Sequence, residues 1–369
     1  MKILVTGAKG FIGKNLIVEL KNRGFKNIFE YDIDTDPSLL DNFCKKADFV
    51  FHLAGINRPE NEFEFMEGNF GFTSKLLDSL KLHDNRSPVV ISSSTQATLD
   101  NPYGKSKLAG EKLIKDYGKE TGSKVLIYRF PNVFGKWCRP NYNSAVATFC
   151  HNMANNLPIK INDPEYLMTL VYIDDVVEEL IKGLSGKENR TGELCEVPVV
   201  HKIKLGKIVE LLESFKESRN NISIPDVSDP FTKKLFSTYL SYLPENNFRY
   251  PLKMNLDERG SFTEFFRTPE RGQISVNISK PGITKGNHWH HTKFEKFVVV
   301  GGKGVIRFRK IGEEKVLEYF VSGEKMEVID VPVGYTHNIE NLGENDLITI
   351  IWVNEPFNKE KPDTFFEEV

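Results

Sequence analysis

The opening stretch KILVTGAKGFIG constrains the fold more than any other part of the 369-residue chain. Ile3, Leu4 and Val5 form an apolar run with no polar break, as expected of a strand buried on both faces. Thr6, Gly7, Gly10 and Gly13 follow at once. FIGKNLIVELKNRG then spaces its apolar residues as a helix does, with Gly24 as a stop. Strand, glycine turn and helix in immediate succession form the context of a dinucleotide-binding loop. Gly7 permits the tight turn, Gly10 lets backbone approach a pyrophosphate, and Gly13 lets the helix pack closely on the strand. The first helical turn, Lys9 through Phe11 and Ile12, then faces the phosphates with unpaired N–H groups.

The next segments extend the pattern. NIFEYDID reads as a second strand ending in acid, and Asp32, 19 residues beyond Gly13, suits the adenosine ribose hydroxyls. ADFVFHLAG reads as a third strand ending in Leu53, Ala54 and Gly55, where backbone must pass close to a cofactor. PVVISSST is a fourth, with serines at its carboxyl end, where ligands of doubly wound sheets bind. The expectation for residues 1–245 is an α/β Rossmann-like, doubly wound parallel sheet.

DNPYGKSKLAGEKLIKDYG adds chemistry. Pro102 stands at a helix start, with Asp100 or Asn101 as cap. Tyr103 and Lys107, at i and i+4, share a helix face. An ammonium beside a phenol favours the phenolate and is expected to lower its pKa. Such a tyrosine can exchange a proton with a carbonyl oxygen while a nicotinamide moves hydride.

TGAKGFIG, the serine triplet, YGKSK, RFPNVFG (129–135) and VYIDDVV (171–177) together resemble the extended short-chain dehydrogenase/reductases acting on nucleotide sugars. The resemblance implies Ser94 as hydrogen-bond donor to a substrate carbonyl, Tyr103 as acid/base, and Lys107 on the ribose and the tyrosine. It implies that Asn69 is the family's active-site asparagine, that Arg129 and Asn132 meet the sugar nucleotide, and that VYIDDVV supports packing. Dehydratases of this family carry an acidic pair where Gln96 and Ala97 follow Thr95, so dehydration is not expected. Asp32 argues for NAD, because a carboxylate repels a 2′-phosphate. In the NADP case Lys9 or Arg58 would hold that phosphate.

Beyond residue 245 the pattern changes. SYLPENNFRYP is a polar link, and from 252 to 369 short strands alternate with glycine and proline, the signature of an all-β sandwich or barrel. His288 and His290 project to one face of a strand, and His291 to the other. Glu295, five residues past His290, has the wrong parity, so HTKF must turn before Glu295 can join them. His337 follows the Pro332-x-Gly334 turn. Three imidazoles and a carboxylate suit zinc, iron, manganese or nickel. Gly282, His288-x-His290, Glu295 and Gly302, then Pro332-x-Gly334, His337 and Asn341, resemble both motifs of the cupin superfamily. One departure is Met326 where a glycine belongs, with Gly323 upstream and a longer hairpin expected. LDERGSFTEFF (256–266) is similar to the opening of the deoxysugar-nucleotide 3,5-epimerases.

A net charge of −2 offers no attraction for nucleic acid or an anionic membrane. No apolar run approaches the ~20 residues of a membrane span, and the N-terminus reads as a strand rather than a signal peptide. Cys44, Cys138, Cys150 and Cys195 share no CxxC spacing, which predicts free thiols in a reducing cytoplasm. The two-domain order resembles the bifunctional capsular-polysaccharide enzymes of the UDP-N-acetyl-L-fucosamine pathway. That resemblance implies a UDP-sugar substrate, a zinc cupin that epimerises C3 of UDP-2-acetamido-2,6-dideoxy-4-hexulose, reduction of C4 with NADPH to the L-talose product, and a homodimer. The C4 ketone acidifies C3–H. Candidate bases are Tyr335, Lys285 and His291, although parity turns His291 away. The alternative is a reductase whose cupin only binds or senses ligand.

Overall fold

The computed structural model describes residues 1–268 and 270–369. They form two compact units, Met1–Glu213 with Val227–Pro244, and Ser214–Asp226 with Glu245–Val369. Segment 214–226, grouped by sequence with the first domain, thus belongs to the second unit. Ile222 and Ile224 there exchange backbone hydrogen bonds with Arg267 at 2.9 and 3.0 Å.

The first unit is built on a seven-stranded sheet. Its order is Asn27–Tyr31, Lys2–Thr6, Phe49–His52, Val89–Ser94, Val125–Phe130, Leu194–Cys195, Arg190–Thr191. The first six strands pair in parallel, and Arg190–Thr191 is antiparallel to its neighbour. The central parallel strands are largely apolar because both faces are covered, as in Ile3–Val5 and Phe49–Phe51. Ile3, Val5, Phe49 and Phe51 pack against helices Phe11–Asn22 and Ile173–Gly183. Leu4, Val50, Val89 and Ile127 pack the other way, against Leu39–Lys46, Phe72–Leu82 and Pro102–Thr121. A smaller sheet joins His201–Lys204, Leu167–Tyr172 and Asn132–Phe134.

The second unit is β-rich, and its paired strands all run antiparallel. A six-stranded sheet includes Gly260–Thr268, Gly272–Ser279, Leu347–Val353 and Glu295–Gly301. A five-stranded sheet includes Lys303–Lys310, Tyr335–Asn341, Thr284–Trp289 and Phe365–Phe366. Alternate residues of both sheets, Phe297, Val299 and Ile351 from one and Ile306, Phe308 and Ile339 from the other, share one core. Gly323, rather than residue 326, supplies the expected close approach, since a Cβ on it would lie 2.7 Å from the Gly301 backbone. The four cysteines are buried and unpaired. Among the described residues no helix is long and apolar enough to cross a membrane.

Phe51→Ala deletes a fully buried ring from the core between the parallel sheet and its helices. The expected cost to the first unit is about 3–5 kcal/mol, read as a lower urea midpoint at unchanged slope.

Candidate functional site

In the first unit the strand order reverses at Lys2–Thr6, which has Asn27–Tyr31 on one side and Phe49–His52 on the other. Such a switch leaves a crevice beyond the carboxyl ends of the strands. Gly7 turns there with φ 67°, and a Cβ on it would lie 2.7 Å from the Ala54 amide nitrogen. A Cβ on Gly13 would sit 2.1 Å from the Gly7 carbonyl oxygen, so the helix is seated directly on the turn. Phe11 and Ile12 pack on the core, and the helix begins at Gly10 without a side-chain cap. The amides of its first turn therefore keep their donors for an incoming acceptor. Gly55 forms the far wall: a Cβ there would meet Asn69 Oδ1 at 2.8 Å and Lys107 Nζ at 2.9 Å. The Asp32 carboxylate follows the second strand and accepts the Lys9 amide at 2.7 Å. The Lys9 ammonium pairs with Asp34, and Arg58 is exposed. A nicotinamide dinucleotide fits these residues, with an uncapped helix end for its phosphates and an acid placed for a ribose.

Helix Pro102–Thr121 brings the reactive groups to this crevice. Asn101 caps it, accepting from the Gly104 amide at 2.7 Å, while Asp100 pairs with Lys105. Ser94, at the end of its strand, lies beside the Tyr103 phenol and favours its ionised form. Burial raises that phenol above its ordinary pKa, and Ser94 opposes the rise. This corrects the expected lowering by Lys107. The Lys107 ammonium lies 5.8 Å from the Tyr103 ring centroid and donates to the Ser92 carbonyl at 3.2 Å, so desolvation dominates at the phenol. Burial pushes Lys107 itself down to about 8, with Glu111 opposing. A raised phenol keeps its proton at neutral pH, the form that can protonate a carbonyl oxygen.

Asn69 and Arg129 are engaged inside the unit. Asn69, 4% exposed, accepts from Ile56 N at 3.0 Å and donates to Ile56 O at 3.1 Å and Ser106 Oγ at 3.0 Å. Arg129 donates to both oxygens of Glu111, at 2.8 and 2.6 Å, and Ser93 adds a third bond at 2.5 Å. A carboxylate that is 1% exposed requires such partners. Asn132 is exposed, with one long bond to the Thr169 carbonyl. Sequence reasoning missed Glu111, although it stands four residues past Lys107 on the same helix.

In the second unit His288, His290, Glu295 and His337 converge, their ligand atoms all within 4.8 Å of one another. The two sheets contribute separately. His288 faces His337 across one ladder, and Glu295 pairs with Val353 and Val331 in the other sheet. Asn287, at φ 59°, is a bulge between Gly286 and His288. It brings Lys285, opposite Ile339, to the same face as His288, opposite His337. The strand ends at Trp289, and residues 290–294 turn, as the parity of Glu295 demands.

The C-terminal segment holds that turn. His290 Nδ1 donates to the Asp363 carbonyl at 2.5 Å, which leaves the lone pair on Nε2. That Nε2 is buried without a hydrogen-bond partner, 3.8 Å from Glu295, and His337 Nδ1 is likewise unpartnered. Burial alone would raise the Asp363 carboxyl. The amides of Thr292, Lys293 and His291, with the Thr292 hydroxyl, hold it well below the usual range. Burial takes His288 down to about 4. Burial would raise Glu295, but His290 and His337 hold it near about 2. Uncharged His288, a carboxylate and an orphaned imidazole nitrogen together fit a divalent cation. The ligands line a cavity of about 510 Å³ that also takes in Arg259, Asn277, Lys285 and Lys293. Of the candidate bases only Lys285 lines it. Tyr335 packs on the core, and exposed His291 rests on Trp289 and Phe365. Asp363 and Lys293 were not anticipated, and nothing local in their sequence marks them.

Residues 3–196 match the NAD dependent epimerase/dehydratase family, and residues 255–365 the polysaccharide biosynthesis C-terminal domain. The crystal structure of capsular polysaccharide assembling protein CapF from Staphylococcus aureus is 55% identical, with TM-score 0.95 over 100% of both chains. The chain belongs to the CapF branch of the NAD dependent epimerase/dehydratase family. A Pseudomonas aeruginosa UDP-2-acetamido-2,6-beta-L-arabino-hexul-4-ose reductase is 43% identical over 99% of this chain and 98% of its own. UDP-glucuronic acid 4-epimerase of Bacillus cereus shares the fold at 22% identity, with TM-score 0.56 over 66% of this chain and 99% of its own. Membership makes the chain an enzyme of the sugar-nucleotide reductase/epimerase type with a nicotinamide cofactor.

Asp363→Ala releases both the His290 turn and its neighbours. It is expected to weaken binding of a divalent cation roughly 10- to 100-fold, measured by competition with a chromogenic chelator. An affinity within about twofold of wild type would mean that the tail does not orient His290.

Proposed function

We propose that the chain carries two activities on one keto sugar: C3 epimerisation of UDP-2-acetamido-2,6-dideoxy-4-hexulose in the second unit, read as a cupin barrel, and NADPH-dependent reduction of C4 in the first. The observation that carries this reading is the coexistence in one chain of a protonated, buried Tyr103 beside Ser94 and an orphaned His290 Nε2 beside Glu295 in a large cavity. His288, His290, Glu295 and His337 would hold zinc, which would supply Lewis-acid polarisation of the C4 carbonyl when bound. The 43% identical relative is named for reduction of a 4-keto nucleotide sugar, which supports the second step.

The residues divide the work as follows. Of the candidate bases, Lys285 is the one that lines the cavity. Its ammonium is anchored on Asn277 Oδ1 at 3.0 Å and Ile278 O at 2.8 Å, and burial lowers its pKa. Loss of the C3 proton and its return to the other face inverts C3 without net change in composition. In the first unit Ser94 would orient the C4 oxygen and Tyr103 would give it a proton, and a bound NADPH would supply the hydride for C4. The products are a C4 alcohol and the oxidised dinucleotide. Lys107 stabilises the phenolate that this leaves. Lys9 and Arg58 are the cations available for a 2′-phosphate.

The test is incubation with the UDP-4-keto sugar in D₂O. Deuterium is expected at C3 without NADPH. The label should vanish on chelation, in Glu295→Ala and in Lys285→Met, and persist in Tyr103→Phe, which should instead lose C4 reduction by about 10³-fold. Reduction with no label under any condition would leave a single-activity reductase.

A further inference from the structure

Behind the crevice runs a line of hydrogen bonds with only one possible direction. Thr73 Oγ1 donates to the Asn69 carbonyl at 2.6 Å, so it must accept from His52 Nε2, 2.8 Å away. His52 therefore carries its proton on Nε2, and its Nδ1 accepts from the Thr6 hydroxyl at 2.7 Å. Thr6 Oγ1 in turn receives the Ala54 amide at 3.4 Å. Thr6, His52, Asn69 and Thr73 are at most 4% exposed, so water cannot replace a lost link. Burial, with Lys107 adding to it, lowers His52 to about 3 and keeps the ring neutral.

The ends of this line meet the cofactor-binding elements. It starts at Ala54, next to Gly55, and finishes on the wide helical turn Glu67–Gly71 that carries Asn69. The Asn69 side chain then returns to both backbone groups of Ile56. Ala54–Ile56 is thus closed into a loop whose far side is the His52 ring, and Gly55 packs on Lys107 Nζ. Thr6 is the last residue before the Gly7 turn, and Leu53 N bonds its carbonyl at 3.1 Å. We infer that His52 is a positioning residue for the nicotinamide dinucleotide: its neutral Nε2–H ring fixes the spacing between the glycine turn, the Ala54–Ile56 wall and Asn69, and through Gly55 the place of Lys107. The inference depends on the dinucleotide crevice alone, and not on the metal centre or the sugar.

The experiment titrates the full-length protein with NADH and, in parallel, NADPH, following nicotinamide fluorescence without substrate, with thermal midpoints recorded for each variant. His52→Leu is expected to weaken the preferred dinucleotide about tenfold. His52→Gln, which keeps one acceptor and one donor, should recover to within about threefold of wild type. Thr73→Val should weaken binding in the same direction and add nothing on top of His52→Leu, because both cut one line. A general loss of stability would lower the thermal midpoint of every variant without this pattern of rescue. Unchanged affinity in folded His52→Leu, or fully additive losses in the double variant, overturns the inference. If His52→Leu does not fold, Thr6→Val and Thr73→Val decide it, and unchanged affinity in both overturns it. No binding of either dinucleotide by the wild type would sink the cofactor reading instead, a separate outcome.

Discussion

A single hydrogen bond, from His290 Nδ1 to the main-chain oxygen of Asp363, decides what the second unit can do. A carbonyl only accepts, so the bond fixes the tautomer and leaves Nε2 as a buried, bare acceptor. Four hydrogen bonds from residues 291–293 to the Asp363 carboxylate keep that carbonyl where it is. The cost of an unpaired buried nitrogen is then built into the fold, and a bound cation would relieve it. Phe365–Phe366 pairs with His288–Trp289, so the same C-terminal segment also braces the strand that carries His288.

The first unit uses burial in the opposite sense on two neighbours. Desolvation disfavours charge, so it raises the phenol of Tyr103 and lowers the ammonium of Lys107. The resting pair is therefore closer to neutral than free side chains would be. That suits reduction, which begins with a phenol holding its proton and ends with a phenolate needing a cation. Glu111 counters the desolvation of Lys107, and Arg129 and Ser93 supply hydrogen bonds to its buried carboxylate. Arg129 reaches the site through this ion pair.

What was legible in the sequence was local. The run Ile3–Val5 with its glycines announced the strand, turn and helix, because steric limits on Gly7 and Gly13 act over a few residues. The YGKSK spacing announced a shared helix face for the same reason. The parity argument at Glu295 worked because alternation in strands leaves no other way for it to meet the histidines. It could not foresee the Asn287 bulge, which reverses the phase between Lys285 and His288, nor that His290 lies beyond the strand end and depends on Asp363. Partners far apart in sequence also lay beyond reach: Arg129, read as a sugar contact, also pairs with the buried Glu111. The same holds for segment 214–226, whose backbone bonds to Arg267 draw it into the second unit.

Ketone chemistry explains why one chain would carry both sites. A C3–H is acidic only while C4 is a carbonyl, so inversion at C3 must precede reduction. Once hydride reaches C4, the new configuration is locked by a loss of acidity far larger than either site could overcome. An epimerase alone would deliver an equilibrium mixture, and a reductase alone would act on whichever epimer it met. With the proposed pair of activities, covalent linkage would hold the two at equal amounts, so the irreversible step would always draw on the reversible one. On that proposal the specificity of the pair would reside in the reductase crevice, where placing Ser94 and Tyr103 against one epimer's C4 oxygen would select the product that the cavity chemistry by itself leaves undecided.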